Sequence, residues 1–173
     1  MTDRTLSVAQ ARSNGWIISG AIAGVVAGIT FAMFEMVMAA VLNGADAFFM
    51  PLRMIGAIGL GASALDPATS LVAAGGAGLV IHMALSMMYG VAIALVLRVV
   101  PSLARTTTSV LAVSSAAGFA LWVVNFHVLA RALGWPWFPD GTNAVVQILA
   151  HAVFFGTVLG LGLIRLGAIR ADD

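Results

Sequence analysis

The sequence predicts an all-α integral membrane protein: a four-transmembrane-helix bundle with a short interfacial or re-entrant segment in its first outer loop. Three observations carry this expectation. Hydrophobic residues fill 61% of the 173 positions and charged residues 9%, against about 45–50% and about 25% in a soluble domain. Four apolar stretches have the roughly 20 residues that a helix needs to cross a bilayer. A fifth apolar stretch, inside the first long connection, is too short to cross. The length suits a single domain over residues 1–173.

The first span covers about residues 16–43, and Glu35 is its only charge. It is about twice as long as the 7–15-residue apolar core of a cleaved leader, so it reads as an uncleaved anchor. Residues 44–70 form the first outer loop, whose middle (51–61) is apolar and rich in glycine. The second span covers about 71–100; Asp66-Pro67 offers a cap and first turn before it, and Pro101 ends it. The third covers about 107–133, capped by Thr106 to Thr108. The fourth covers about 143–166, capped within Asp140 to Asn143. The loop between them, 134–141, is short and stiffened by Pro136 and Pro139.

Orientation follows from the arginines, which supply every basic side chain. With the N-terminus cytoplasmic, Arg4, Arg12, Arg98, Arg105, Arg165 and Arg170 lie inside, and Arg53 and Arg131 outside. Six against two favours both termini in the cytoplasm, with the bacterial inner membrane as the expected location. Phe48, Phe49, Trp135, Trp137 and Phe138 then gather in the outer loops, as an interfacial belt would. Gly20, Gly24 and Gly28 repeat every fourth residue, as do Gly156 and Gly160. Such stripes let helix backbones approach closely in lipid. Gly28 and Glu35 are seven apart and share a face.

Composition excludes several functions. There is no cysteine, which removes disulfides, iron–sulfur clusters and thiol catalysis. There is no lysine for a Schiff base. A net charge of +1 without a basic cluster gives nucleic acid no footing. None of the phosphate-loop, dinucleotide, nucleophile-elbow or zinc-protease motifs of soluble enzymes is present.

What remains is a set of ionisable side chains inside the spans: Glu35, His82, His127 and His151. Each is costly in hydrocarbon, about 2.5–3.5 kcal/mol for an acid at the helix centre. At about 1.5 Å rise per residue, all four fall roughly 9–16 Å below the outer boundary. His82 shares a face with Gly75, Gly78, Ser86 and Tyr89. His151 lies one turn from Gln147, and His127 one turn from Arg131. Asn125 sits in the same span as His127, on a different face.

One carboxylate and three imidazoles suit three chemistries. The first is a metal site of Glu35, His82, His127 and His151 holding copper, iron or zinc. The second is haem b with two of the histidines as axial ligands, Arg131 near a propionate, and the third histidine beside the haem or in a quinone site. The third is a proton relay, as in a proton-coupled transporter. The plain alternative is that each histidine satisfies a helix–helix hydrogen bond. The expected partners are the lipid bilayer, a quinone, and other membrane proteins or further copies of the chain. An accessory or scaffold subunit of a larger complex is the expected alternative to a redox module.

Overall fold

The computed structural model describes the backbone of residues 2–169 and the side chains of residues 15–169. Arg4, Arg12 and Arg170, which enter the orientation count, and the Asp172-Asp173 tail lie outside the described side chains. Five helices longer than two turns build the described residues: α1 (Thr2–Asn43), α2 (Met50–Leu60), α3 (Leu71–Val99), α4 (Thr107–Leu133) and α5 (Ala144–Arg165). All but α2 are long and apolar enough to span a membrane. The protein is thus an all-α four-helix membrane bundle, and no strand occurs among the described residues. Helix starts follow capping chemistry. The Thr106 hydroxyl accepts from the Ser109 amide in a capping box that opens α4. Asn143 Oδ1 accepts from the amides of Val145 and Val146 to open α5.

Consecutive spans run antiparallel, so α2 and the loop after α4 lie at the same end. In space the order is α2, α3, α1, α5, α4: α1 packs on α3 and α5, α4 packs on α5, and α2 lies along α3. Although consecutive in sequence, α3 and α4 barely touch. Apolar side chains such as Ile22, Val26, Ile29 and Met33 of α1 point outward, about half exposed. The inward faces carry small residues instead, the pattern of a chain whose solvent is lipid.

Glycines set the closest contacts. A methyl on Gly24 would strike the carbonyl of Ser86, and one on Gly28 would come within 2.5 Å of the Ser86 hydroxyl. Gly90 of α3 abuts the Gly20 carbonyl in return. The first glycine stripe is therefore the α1–α3 contact. On the other side, Gly156 meets Ser114 and Gly118 meets the His151 carbonyl, so the second stripe joins α4 to α5. Between α2 and α3, Gly56 meets the Ala74 carbonyl and Gly78 the Leu52 carbonyl. The apolar middle of the first loop is thus a short helix docked backbone-to-backbone on a span, which is what an element too short to cross needs. Arg53 fixes the rest of that loop, donating to the carbonyls of Ala64 (3.0 Å), Asp66 (3.1 Å) and Thr69 (2.9 Å).

Both α4 and α5 contain a wide π turn, at Val123–Leu129 and Ala150–Thr157. In the second, side-chain hydroxyls serve the backbone: Thr30 donates to the Phe154 carbonyl at 2.7 Å and Thr157 to that of Ala152 at 3.3 Å. Such local re-satisfaction is what lets an irregular turn persist in hydrocarbon.

The close glycine contacts lead to a direct test. Gly78→Ala forces a methyl into the Leu52 carbonyl, whereas Gly76 of the same helix faces open space. Overpacking of this kind costs about 1–3 kcal/mol, which corresponds to a melting temperature roughly 2–12 °C lower for a chain of this size. Thermal melting in mild detergent should show that drop for Gly78→Ala and none for Gly76→Ala. Equal behaviour of the two would contradict the α2–α3 contact.

Candidate functional site

The close α1–α3 and α4–α5 glycine contacts lie away from α2, and toward the α2 end α1 continues as Phe31 and Glu35 and α4 as Leu121 and Asn125. There the helices stand apart around a cavity of about 530 Å³. Its roof is α2, through Met50, Met54 and Ile58, together with Trp135 and Phe138 of the loop after α4. The Trp137 indole ties that loop to α2 by donating to the Met54 carbonyl at 3.1 Å. One wall is the gap between α3 and α4, lined by Leu85 and Tyr89 on one side and Leu121 and Asn125 on the other. A single hydrogen bond crosses that gap, from the Tyr89 hydroxyl to Asn125 Oδ1 at 3.0 Å. The deep end holds Phe31, Glu35, His82, Ser86, Gln147 and His151.

Three of the four ionisable side chains expected in one layer therefore meet in one cavity. Glu35 is 7% exposed, His82 7%, His151 8% and Gln147 4%. Gln147 Nε2 donates to Glu35 Oε2 at 2.8 Å, and the second carboxyl oxygen, Oε1, is buried without a partner. Each histidine bonds to a backbone carbonyl through one ring nitrogen: His82 Nε2 to Gly28 at 2.9 Å and His151 Nδ1 to Gln147 at 2.9 Å. A carbonyl only accepts, so those nitrogens carry the protons. In the neutral rings, His82 Nδ1 and His151 Nε2 are left as acceptors. Neither is sealed within the protein as Glu35 Oε1 is. Both imidazoles pack against Phe31, with ring centroids at 5.1 Å for His82 and 4.7 Å for His151.

The remaining expected site residues lie elsewhere. His127 does not line the cavity; its half-buried ring meets the edge of Trp122 at 4.9 Å. The reason is helical phase. Leu121 and Asn125, four apart, face the cavity, and His127 follows Asn125 by two residues, about 200° round the helix. Arg131 is exposed beside the Trp135–Asp140 loop, so it holds no group at the Glu35 end of the cavity. Among the described residues, no three histidine, aspartate or glutamate side chains stand close enough together to hold one ion. Tyr89 and Asn125, which join α3 to α4, and Gln147, which holds the carboxylate, carry the polar chemistry beyond the ionisable groups. Their signal in the sequence is face, not depth.

No protein-family profile, characterised protein or solved structure matches the chain.

The Glu35–Gln147 pair is testable by a double-mutant cycle. Glu35→Leu leaves the buried Gln147 amide unpaired, and Gln147→Leu leaves the carboxylate so. Each should cost about 1–3 kcal/mol, while replacing both restores most of the loss because no polar group is stranded. Melting of the four proteins in detergent checks this, and strictly additive losses would refute the pairing.

Proposed function

We propose that this protein is a membrane-embedded binding module for a lipophilic small molecule of the quinone class, whose ring and tail fill the apolar part of the cavity and whose polar head reaches the Glu35–Gln147–His151 end. The observation that carries this reading is the cavity itself. A volume of about 530 Å³ lies in the usual range for small-molecule sites, roughly 300–1,000 Å³. It is mainly apolar, with a few convergent polar groups at one end, as such sites are. The slack between α3 and α4 gives a route from the bilayer, with the Tyr89–Asn125 hydrogen bond as its polar tie. The arginine distribution supports a reading in which both termini lie in the cytoplasm of a bacterium and the cavity roof on the outer side of its inner membrane.

A second reading draws on the histidines. Each donates one ring N–H to a backbone carbonyl and leaves the other nitrogen bare, which is the arrangement that orients metal-bound imidazoles. Copper, iron or zinc held by His82 and His151, or haem b on one of them, is the proposal this supports. The two readings separate in one preparation. Protein purified in mild detergent is extracted with organic solvent for mass spectrometry, and a second portion goes to elemental analysis and an absorption spectrum. The lipophile reading expects one co-purifying molecule near one per chain. It also expects Leu121→Trp, which fills the wall, to lose that molecule while remaining folded. A stoichiometric metal or haem band with no lipophile would replace this reading with the second.

The tie across the gap gives a kinetic prediction. Tyr89→Phe removes one hydrogen bond, worth about 0.5–1.5 kcal/mol. Release of the bound molecule should therefore quicken by roughly 2–12-fold, with little change in the melting temperature of the empty protein. Exchange into excess empty liposomes measures this rate. Unchanged release would mean that the gap is not the route.

A further inference from the structure

We infer that the cavity selects a neutral ligand whose head donates hydrogen bonds, a phenol or hydroquinone, over the corresponding carbonyl, ether or ammonium compound. The inference rests on the lipophile reading above and adds the chemistry of the head group.

It starts from the protons. Gly28 O and Gln147 O are backbone carbonyls, so each fixes the tautomer of the histidine it touches. His82 then presents Nδ1, and His151 presents Nε2, as bare lone pairs. Gln147 commits one of its two amide N–H groups to Glu35 Oε2, so it offers a ligand Oε1 as a further acceptor beside one remaining N–H. Acceptors therefore outnumber donors at the deep end, with two imidazole nitrogens and Gln147 Oε1 against one Gln147 N–H. Ser86 is the one hydroxyl there, and a hydroxyl serves as donor or acceptor. A quinone carbonyl or an ether oxygen would find only the Gln147 N–H or the Ser86 hydroxyl to accept from, and would leave both imidazole lone pairs unmatched. A site built around hydrogen bonds rejects an analogue that lacks the matching group far more strongly than it rejects a missing methylene.

The single carboxylate distinguishes a hydroxyl from an ammonium. Glu35 is the only carboxyl side chain that lines the cavity among the described residues. Its Oε2 is occupied by Gln147 and its Oε1 is sealed away from solvent-sized space. A ligand cation approaching this carboxyl therefore competes with the Gln147 amide, whereas the imidazole nitrogens are open. An aromatic head also suits the walls: Phe31 packs on both imidazoles, and the Phe126 ring stands edge-on to His151 at 5.4 Å.

The test compares heads on one tail. A hydroquinone with a ten-carbon chain, its quinone, its dimethyl ether and decylammonium are titrated into the full-length protein in nanodiscs, with binding read from quenching of tryptophan fluorescence. The hydroquinone should bind at least tenfold more tightly than the ether and the quinone, and more tightly than decylammonium. His151→Phe should lower hydroquinone affinity about tenfold and leave the ether unchanged. Because the ligand series on the unaltered protein carries the comparison, a poorly folding variant does not decide it. Equal binding of hydroquinone, quinone and ether overturns the inference and leaves the lipophile reading standing. Tightest binding by decylammonium overturns the neutral head. No binding by any of the four overturns the lipophile reading and the inference with it.

Discussion

Close backbone contact at one end of the bundle is the constraint on which the rest depends. In lipid there is no hydrophobic effect to press helices together, so packing must come from shape. This chain supplies shape with Gly20, Gly24 and Gly28 against Ser86 and Gly90, and with Gly156 and Gly160 against Ser114 and Gly118. Helices pinned that tightly at one end diverge wherever larger side chains follow on the same faces. On α1 the face continues as Phe31 and Glu35, on α3 as His82, on α4 as Leu121 and Asn125, and on α5 as His151 and Gln147. The cavity opens where the faces of α1, α4 and α5 pass from these glycines to larger side chains. It is roofed because α2 is pinned in turn by Gly56 and Gly78.

The π turns belong to the same account. An extra residue in a turn changes which side chain faces inward below it, and such turns gather at functional sites. On α5 the turn covers His151, Phe155 and Gly156, so a cavity-lining imidazole and a glycine contact with α4 lie within two turns of one helix. On α4 it covers Asn125 and Phe126, both of which line the cavity. The carbonyls that a wide turn leaves poorly served find Thr30 and Thr157. Thr30 belongs to another span, so the irregular backbone of α5 is supported from α1, beside the residues that line the deep end.

Much of this was legible from residues alone. Span limits followed from apolar length, and the two glycine stripes from four-residue spacing. Gly28 and Glu35 are on one inward face, as their separation of seven requires, and the small, polar face of His82 is buried. Depth brought Glu35, His82 and His151 together correctly. It failed for His127, because depth says nothing about rotation round the helix axis. Phase did carry that information: continuing the α4 face from Ser114 and Gly118 reaches Leu121 and Asn125, and leaves His127 on the far side. The π turns had no such signal. No proline marks either one.

Glu35 shows how a correct premise led to a different partner. An acid in hydrocarbon needs a hydrogen-bonding neighbour, and the expected ones were imidazoles. The partner is instead the Gln147 amide, one turn from His151. The difference matters for chemistry. An imidazole bound to the carboxylate would have its reactive nitrogen consumed and its proton fixed by a charge. With the amide in between, both rings take their tautomer from backbone carbonyls and keep a lone pair toward the cavity. The carboxyl group thus acts on the site through Gln147: it holds one N–H of that side chain and so fixes the amide beside the two imidazole lone pairs.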